Sequence, residues 1–219
     1  MTGVPDPGIS EGEDIGGRLN VLLVQAGMPQ LDPELVERFG AYLSLVIRWN
    51  SQINLTAIRD REGILSRHFV ESIACSHAVP AGVGTLLDFG SGAGFPGIPI
   101  ALCRPEISVT LAESQGKKAA FLQEAVRTLG LAAKVYSRRA ETIPSTFGCV
   151  TMRAVERMPA AVVAAGRLVA RDGLLIVMTT RAEFSSVERA AGNAFEWRSS
   201  AGFAIGDERV IMVGQRKAE

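Results

Sequence analysis

A glycine-rich turn between two apolar segments limits the folds available to this chain more than any other feature. The segment LLDFGSGAGFPGIPIAL, residues 86–102, has glycine at positions 90, 92, 94 and 97. An apolar run precedes the glycines and a proline-containing apolar run follows them. This pattern predicts a strand over 85–89, a tight turn, and a helix over 97–103.

The chain beyond this turn alternates between strand-like and helical patterns. Strand-like runs occur at 107–112, 133–136, 148–152, 173–179 and 208–214, and helical stretches at 115–129 and 157–170. Alternation of this kind predicts an α/β fold, in which a mostly parallel, Rossmann-like sheet has helices on both faces. Another strand-like piece near 195–198 comes just before the last run, so we expect that last strand to be antiparallel.

The part of the chain before residue 81 does not show this alternation of strands and helices. Residues 1–17 hold four acidic residues and no basic one, which predicts a disordered acidic tail. Residues 18–80 have apolar residues at helical spacing and an Asp-Pro-Glu helix start at 32–34. We therefore expect a tail over 1–17, a helical N-terminal part over 18–80 and the Rossmann-like domain over 81–219.

Charge and composition exclude some classes of protein. The net charge is zero, but without the four acids of the tail 23 basic residues stand against 19 acidic ones. The remaining chain, at +4, is mildly basic and compatible with an RNA partner. No apolar run approaches the roughly 20 residues of a membrane span. Three scattered cysteines suggest reduced thiols. We expect a cytoplasmic protein that has no membrane partner.

The glycine loop formally matches the dinucleotide pattern G-x-G-x-x-G at 92–97, but Asp88 argues against a pyrophosphate ligand. A carboxylate there would repel phosphate, whereas S-adenosylmethionine carries an ammonium and a sulfonium group. Glu113 follows the next predicted strand, where an acid is expected to receive ribose hydroxyls. The pair favours S-adenosylmethionine as the cofactor. The alternatives are a nicotinamide dehydrogenase, or two acids that are only polar strand ends.

Several separate stretches resemble the RsmG family (glucose-inhibited division protein B), bacterial methyltransferases that modify guanine N7 in small-subunit ribosomal RNA. The resemblance covers about residues 35–216 and rests on RWNSQINLTAI (48–58), RHFVES (67–72), the glycine-loop segment, ESQGKKAAFLQE (113–124), RAE (139–141) and RAV (153–155). It implies a class I S-adenosylmethionine-dependent methyltransferase fold with a helical N-terminal extension, and 16S ribosomal RNA as the partner. We expect no metal ion, and a monomer.

The resemblance also implies cofactor contacts at Gly90, Phe95, Ala140, Glu141 and Arg153. Together with the residues inferred above, the predicted cofactor site consists of Asp88, Gly90, Ser91, Gly92, Gly94, Phe95, Glu113, Ala140, Glu141 and Arg153. Alternatives remain for several members. Phe95 could be ordinary core and Glu141 could cap the following turn. Arg153 could pair with Asp88 or Glu113, or could reach an RNA phosphate.

Basic and amide side chains are the candidates for RNA contact. They are Asn50, Asn54, Arg59, Arg61, Arg67, His68, Lys117, Lys118 and Arg181. Clustered cations in the helical part are suited to contact a phosphate backbone. Alternatively, the basic residues belong to a solvated surface, and the two asparagines cap or turn the chain. Where the family commonly has Lys-Gly near the end of the fifth strand, this chain has Thr179 and Thr180, and Arg181 is the nearest replacement cation.

The expected chemistry needs few catalytic groups. Guanine N7 has a free lone pair, so it can attack a methyl group without losing a proton first, and catalysis then consists of positioning. The two histidines, His68 and His77, stand in no metal or triad pattern. No catalytic residue is assigned. A small-molecule methyltransferase and a non-catalytic ribosome-assembly factor are the competing functions.

Overall fold

The helical N-terminal part begins with two helices. The structure, a computed structural model, describes residues 15–199 and 208–217. Helix α1 covers Ile15–Gln25, and α2 covers Pro33–Asn50. The Asp32 carboxylate accepts from the Leu35 N–H at 2.8 Å, so the predicted cap is present. Phe39, Tyr42 and Leu43 are fully buried on one face of α2.

A continuous helical segment follows and changes its geometry part-way. Asp60 caps α3 (Arg61–Gly63), which runs into a π-helical stretch (Ile64–Val70) and then into α4 (Glu71–Ala78). The sequence predicted one helix from residue 60 to residue 78. The π-helical stretch widens the turn that carries Arg67 and His68. Such local departures are frequent at functional sites.

A seven-stranded sheet forms the centre of the rest of the chain. The strands are β1 (Thr85–Phe89), β2 (Ser108–Ala112), β3 (Lys134–Tyr136), β4 (Phe147–Arg153), β5 (Val169–Thr180), β6 (Phe195–Ser199) and β7 (Arg209–Arg216). Their order is β3-β2-β1-β4-β5-β7-β6. The first five strands pair in parallel, and β7 is antiparallel to both of its neighbours, β5 and β6. The predicted sheet and its antiparallel last strand are confirmed.

Helices cover both faces of this sheet. The remaining helices are α5 (Gly97–Cys103), α6 (Gly116–Thr128), α7 (Met158–Arg167) and α8 (Phe184–Ala191). Buried residues of α1, α2, the π-helical stretch, α4, α5 and α6 form one apolar cluster with one face of the sheet, and α7 and α8 pack on the other face. The predicted α/β fold with helices on both faces is therefore confirmed.

The helical part shares its core with the sheet. Leu19 of α1, Tyr42 of α2 and Phe69 lie in the same buried cluster as Leu86 of β1 and Ile176 of β5. The N-terminal helices are therefore one wall of the α/β unit. Of the predicted tail, residues 1–14 lie outside the described residues, whereas residues 15–17 belong to α1.

No helix in the described ranges is long and apolar enough to cross a membrane. Within the same ranges, no three His, Cys, Asp or Glu side chains are grouped so that they could hold a metal ion.

Candidate active site

The glycine loop forms a compact turn between β1 and α5. Gly90, Gly92 and Gly94 all have positive φ, at 73°, 57° and 90°, a region that glycine adopts at no steric cost. The Ser91 carbonyl accepts from the N–H groups of Gly94 and Phe95, at 2.7 and 3.2 Å, and closes the turn. At Gly97 an added Cβ would lie 2.4 Å from Leu111, so glycine lets α5 approach the sheet closely.

A cavity of about 900 Å³ opens beside this loop, at the carboxyl ends of the parallel strands. Ligands of open α/β sheets bind at this edge, and the volume falls within the range of small-molecule sites. Its walls come from the glycine loop, the segment 112–115 after β2, the turn 138–141 after β3, and residues 153–157 after β4. The segment 55–58 and the π-helical stretch complete it on the side of the helical part.

Glu113 links the end of β2 to the glycine loop. One carboxylate oxygen accepts from the Gly92 N–H at 3.0 Å, and the other accepts from the Gln115 N–H at 2.7 Å. The side chain is buried but lines the cavity. The structure thus places this predicted ligand of the ribose hydroxyls on the cavity wall, next to the glycines.

Asp88 lies behind the loop and is not among the residues that line the cavity. Its carboxylate accepts from the Gly97 N–H at 3.1 Å and from the Thr151 hydroxyl at 3.0 Å. Burial raises the pKa of this carboxyl to about 6. Asp88 therefore fastens the start of α5 to the sheet, and its contact with a cofactor cation stays a prediction.

Of the other predicted cofactor residues, all but one line the cavity. Gly90, Ser91, Gly92, Phe95, Ala140, Glu141 and Arg153 line the cavity, and Gly94 does not. Gly94 faces α5 and the helical part instead, because an added Cβ there would lie 2.5 Å from the Ile98 side chain and 2.7 Å from the Tyr42 hydroxyl. Ala140 is buried and Glu141 is exposed, in the short turn after β3.

An aromatic group holds Phe95 in the cavity wall. The His68 ring stacks on Phe95 with the ring centroids 4.6 Å apart, and Tyr42 and Phe69 pack against Phe95 at 5.4 and 5.8 Å. The His68 Nε2 lies 2.6 Å from the Thr56 hydroxyl. Burial, with Arg153 and Arg67 nearby, lowers the pKa of His68 to about 3. The imidazole is therefore neutral at physiological pH and belongs to the wall.

Three arginines meet at one buried carboxylate beside His68. Glu71 Oε2 lies 2.9 Å from Arg153 and 3.5 Å from Arg209, and Glu71 Oε1 lies 3.7 Å from Arg67. We call these four residues the arginine cluster. Its three arginines line the cavity, and Glu71 does not. Arg153 therefore pairs with Glu71, not with Asp88 or Glu113 as the sequence alternatives had it.

The RNA candidates are dispersed. Arg67, His68 and Lys118 line the cavity, whereas Asn50, Asn54, Arg59, Arg61, Lys117 and Arg181 do not. Asn50 is buried, and its side chain contacts the backbone of Leu55, Thr56 and Ile58. Its amide therefore shapes the segment 55–58 and is not presented to a base.

The segment that departs from the family pattern forms a helix cap. Thr180 and Glu183 make a capping box before α8, and the Thr179 hydroxyl donates to Glu183 Oε2 at 2.5 Å. Thr179 is buried. The hydroxyl groups of both threonines are thus used in the helix cap. Arg181, the expected replacement cation, is not among the residues that line the cavity.

Sequence reasoning missed several basic residues. Exposed or half-buried cations surround the cavity opening, and we call them the rim residues: Lys118, Arg138, Arg139 and Arg157. Only Lys118 was among the candidates for RNA contact. Arg209 was also missed, because its place beside Arg153 depends on β7 pairing with β5, where Arg209 is opposite Thr180.

Comparison with known proteins gives the family. A match to the family rRNA small subunit methyltransferase G (GidB) extends over residues 35–198. The chain belongs to this family. Ribosomal RNA small subunit methyltransferase G of Xanthomonas campestris pv. campestris (strain B100) is 37% identical over 186 residues, which is 84% of this chain and 82% of that relative. The protein of the same name from Xylella fastidiosa (strain 9a5c) is 45% identical over 152 residues, 68% of this chain and 71% of the relative.

Solved structures agree on the fold. Magnesium protoporphyrin IX methyltransferase from Synechocystis PCC 6803, crystallised with bound SAM, superposes with a TM-score of 0.56 at 15% sequence identity. The superposition covers 80% of this chain and 97% of that enzyme. The resemblance found in the sequence and the predicted class I methyltransferase fold are therefore both confirmed.

Proposed function

We propose that this protein transfers a methyl group from S-adenosylmethionine to N7 of a guanine in 16S ribosomal RNA. The observation that carries the proposal is the convergence of the glycine loop, Glu113, the Ala140–Glu141 turn and Arg153 on one cavity. Membership of the rRNA small subunit methyltransferase G family supplies the reaction class and the RNA. We further propose that the protein acts as a cytoplasmic monomer.

The cavity suits S-adenosylmethionine on its own chemistry. An added Cβ at Gly92 would contact only the Gly90 carbonyl, at 3.9 Å, so a ligand can approach the loop backbone closely. Glu113 supplies a carboxylate directly after β2, where an acid receives the ribose hydroxyls in this architecture. In the proposed site, Glu141 and the Ala140 backbone bind the adenine, and Arg153 is a further cofactor contact; all three residues line the cavity.

The bound cofactor supplies an electrophilic methyl group on a sulfonium. The protein's own residues then have to hold guanine N7 in line with that methyl group and its sulfur, which is catalysis by positioning. Phe95 and His68 form a close-packed wall that keeps water from the reacting atoms. Because N7 carries no proton, no group of the site has to act as a general base.

The basic residues that line the cavity favour a polyanionic substrate over a small molecule. Seven basic residues line the cavity: Arg67, Lys118, Arg138, Arg139, Arg153, Arg157 and Arg209. Only three acidic residues accompany them, namely Glu113, Glu141 and Glu156. A cleft lined by one sign of charge concentrates ligands of the other sign. This excess supports RNA as the substrate.

Labelled S-adenosylmethionine and small ribosomal subunits that lack the modification test the proposal. We expect label in 16S ribosomal RNA, and chemical cleavage specific for 7-methylguanine at a single position. The Arg153→Gln variant serves as the control that should transfer little label. Cofactor binding without label in RNA would favour the small-molecule methyltransferase. Absence of cofactor binding would overturn both functions.

A further inference from the structure

The arginine cluster joins three elements that are distant in the sequence. Arg67 comes from the π-helical stretch, Arg153 from the end of β4, and Arg209 from the start of β7. Glu71, the first residue of α4, is the only member that is acidic. Its side chain is 9% exposed and lies behind the arginines, outside the set of residues that line the cavity.

The charges in this cluster are not balanced. Three guanidinium groups face one carboxylate, which leaves two positive charges beside the cavity. Burial raises the pKa of Glu71, and Arg153, Arg209 and Arg67 oppose that rise. Burial lowers the pKa of Arg153, and Glu71 counteracts it, whereas Arg209 and Arg67 reinforce it. An ion cluster whose buried pair, Arg153 and Glu71, has two further arginines beside it is weak evidence for stability, so its charge excess calls for a functional reason.

Few contacts fix the Arg153 guanidinium. Its Nη2 donates to the Arg67 carbonyl at 2.7 Å and pairs with Glu71 Oε2 at 2.9 Å. Its Nη1 is buried and has no hydrogen-bond partner among the described residues, and neither has Glu71 Oε1. Loss of the Glu71 charge would leave Arg153 held through one carbonyl and repelled by two neighbouring cations.

We propose that Glu71 is a positioning residue for the cofactor: it holds the Arg153 guanidinium against the repulsion of Arg67 and Arg209, at the place where Arg153 contacts S-adenosylmethionine. Glu71 itself does not touch the ligand. The inference rests on the proposed function, because it requires that the cavity binds this cofactor through Arg153. It adds a residue outside the cavity wall on which cofactor affinity depends.

The test compares Glu71→Gln with Glu71→Asp by calorimetric titration with S-adenosylmethionine. Glu71→Gln removes the charge, and we expect a dissociation constant roughly tenfold higher, a size usual for neighbours in one salt-bridge network. Glu71→Asp keeps the charge on a shorter side chain and should give an intermediate value. If the Gln variant does not fold, the Asp variant still tests the proposal. An affinity of Glu71→Asp for S-adenosylmethionine equal to that of the parent would overturn it.

Glu124→Gln is the matched control. Glu124 pairs with Arg48 and accepts from the Trp49 indole N–H at 2.9 Å, but lies outside the cavity. Its replacement also breaks an arginine–glutamate pair, and we expect it to leave cofactor affinity unchanged. An equal loss of affinity in Glu124→Gln would mean that general destabilisation, not positioning, is being measured.

A double-variant cycle separates positioning from a purely structural role. If Glu71 acts through Arg153, Glu71→Gln should cause no further loss of affinity in an Arg153→Gln background. Additive losses in the double variant would overturn the proposal. Failure of the parent protein to bind S-adenosylmethionine would overturn the proposed function as well, whereas a binding parent with a fully active Glu71→Gln variant would overturn only this inference.

Discussion

At the scale of single residues, two carboxylates at the ends of neighbouring strands have different roles. Asp88 and Glu113 both accept backbone N–H groups, but only Glu113 lines the cavity. Both are acids that follow an apolar run, so the sequence could not separate them. The difference arises because α5 packs directly over Asp88, where Gly97 permits a close approach.

Asp88→Asn tests the structural role of the buried carboxyl through pH. Burial raises its pKa in the folded protein from 3.8 to about 6. Between about pH 4 and pH 6 the folded state therefore binds more protons than the unfolded state, and the free energy of unfolding of the parent falls as pH rises. The shift corresponds to a loss of about 3 kcal/mol across that range. Asparagine does not titrate, its amide oxygen can accept from the Gly97 N–H, and its amide NH2 can donate to the Thr151 hydroxyl, which then becomes the acceptor.

Denaturant unfolding of parent and variant at several pH values measures this difference. We expect the free energy of unfolding of the variant not to show the fall of about 3 kcal/mol between about pH 4 and pH 6. The variant should be at least as stable as the parent at pH 7. Its dissociation constant for S-adenosylmethionine should lie within a few-fold of that of the parent. Identical pH profiles would show that Asp88 is not the titrating group. A large loss of cofactor affinity would return Asp88 to the binding site.

Glu113→Ala should weaken cofactor binding directly. A charge-assisted hydrogen bond contributes about 1.5–3 kcal/mol, which corresponds to a dissociation constant roughly ten- to a hundredfold higher. Calorimetric titration with S-adenosylmethionine measures the effect. Glu106→Ala is a suitable control, because Glu106 is exposed and precedes the opposite end of the same strand. Equal affinity of Glu113→Ala and the parent would remove Glu113 from the site.

At the scale of elements, the segment between α2 and α3 depends on one buried amide. The Asn50 Oδ1 accepts from the N–H groups of Leu55 and Thr56, and its Nδ2 donates to the Ile58 carbonyl. Asn50→Ala should lower the free energy of unfolding by about 1–3 kcal/mol, since it leaves buried backbone groups unpaired. It should also raise KM for the ribosomal substrate, because residues 55–58 form one cavity wall.

Asn54→Ala gives the comparison for this prediction. Asn54 is exposed, and its side chain contacts Arg59 at 3.0 Å. Its replacement should change the free energy of unfolding by no more than about 0.5 kcal/mol. Chemical denaturation and steady-state kinetics of both variants decide. Similar losses in both would mean that the segment is not organised through Asn50.

Local signals predicted most elements of the fold correctly, and the exceptions have identifiable causes. The predicted strand 173–179 begins earlier, at Val169, because Asp172 and Gly173 lie within β5 at an irregular pairing with β4. Both residues are typical of turns, so the prediction from the sequence began the strand only at Gly173. In the π-helical stretch the buried pairs Ile64–Phe69 and Leu65–Val70 are five positions apart. Over so short a segment this spacing does not differ clearly from an α-helical one, and the sequence therefore predicted one uniform helix.

The part of the candidate site that lies in and near the glycine loop could be predicted from the sequence. The glycine loop and Glu113 follow from short-range spacing, and the structure brings them together. The arginine cluster was not predictable from the residues, because Glu71, Arg153 and Arg209 come from three elements whose contact depends on the whole sheet order. Long-range pairing of this kind has no signature in a single sequence.

At the scale of the whole molecule, charge is distributed around one cavity that two parts of the chain build together. The helical part contributes residues 55–58, Arg67 and His68, and the sheet contributes the remaining walls. The rim residues belong entirely to the sheet side. Arg167 and Arg171 are also exposed, but they lie at the end of α7 and the start of β5, on the opposite edge of the sheet.

The last prediction compares two rim residues, Arg138 and Arg157, with the distant pair Arg167 and Arg171. Reversing Arg138 and Arg157 to Glu should weaken binding to the ribosomal substrate strongly and leave cofactor affinity unchanged, whereas reversing Arg167 and Arg171 to Glu should have little effect on RNA binding. Both double variants change the net charge equally, so a difference between them reports position. Because each phosphate contact releases counterions, the slope of log K against log salt should become shallower by about 1.4–1.8 for two lost contacts. Filter binding over a salt series measures both quantities. Equal losses in the two double variants would mean that net charge, and not the rim of the cavity, governs RNA association.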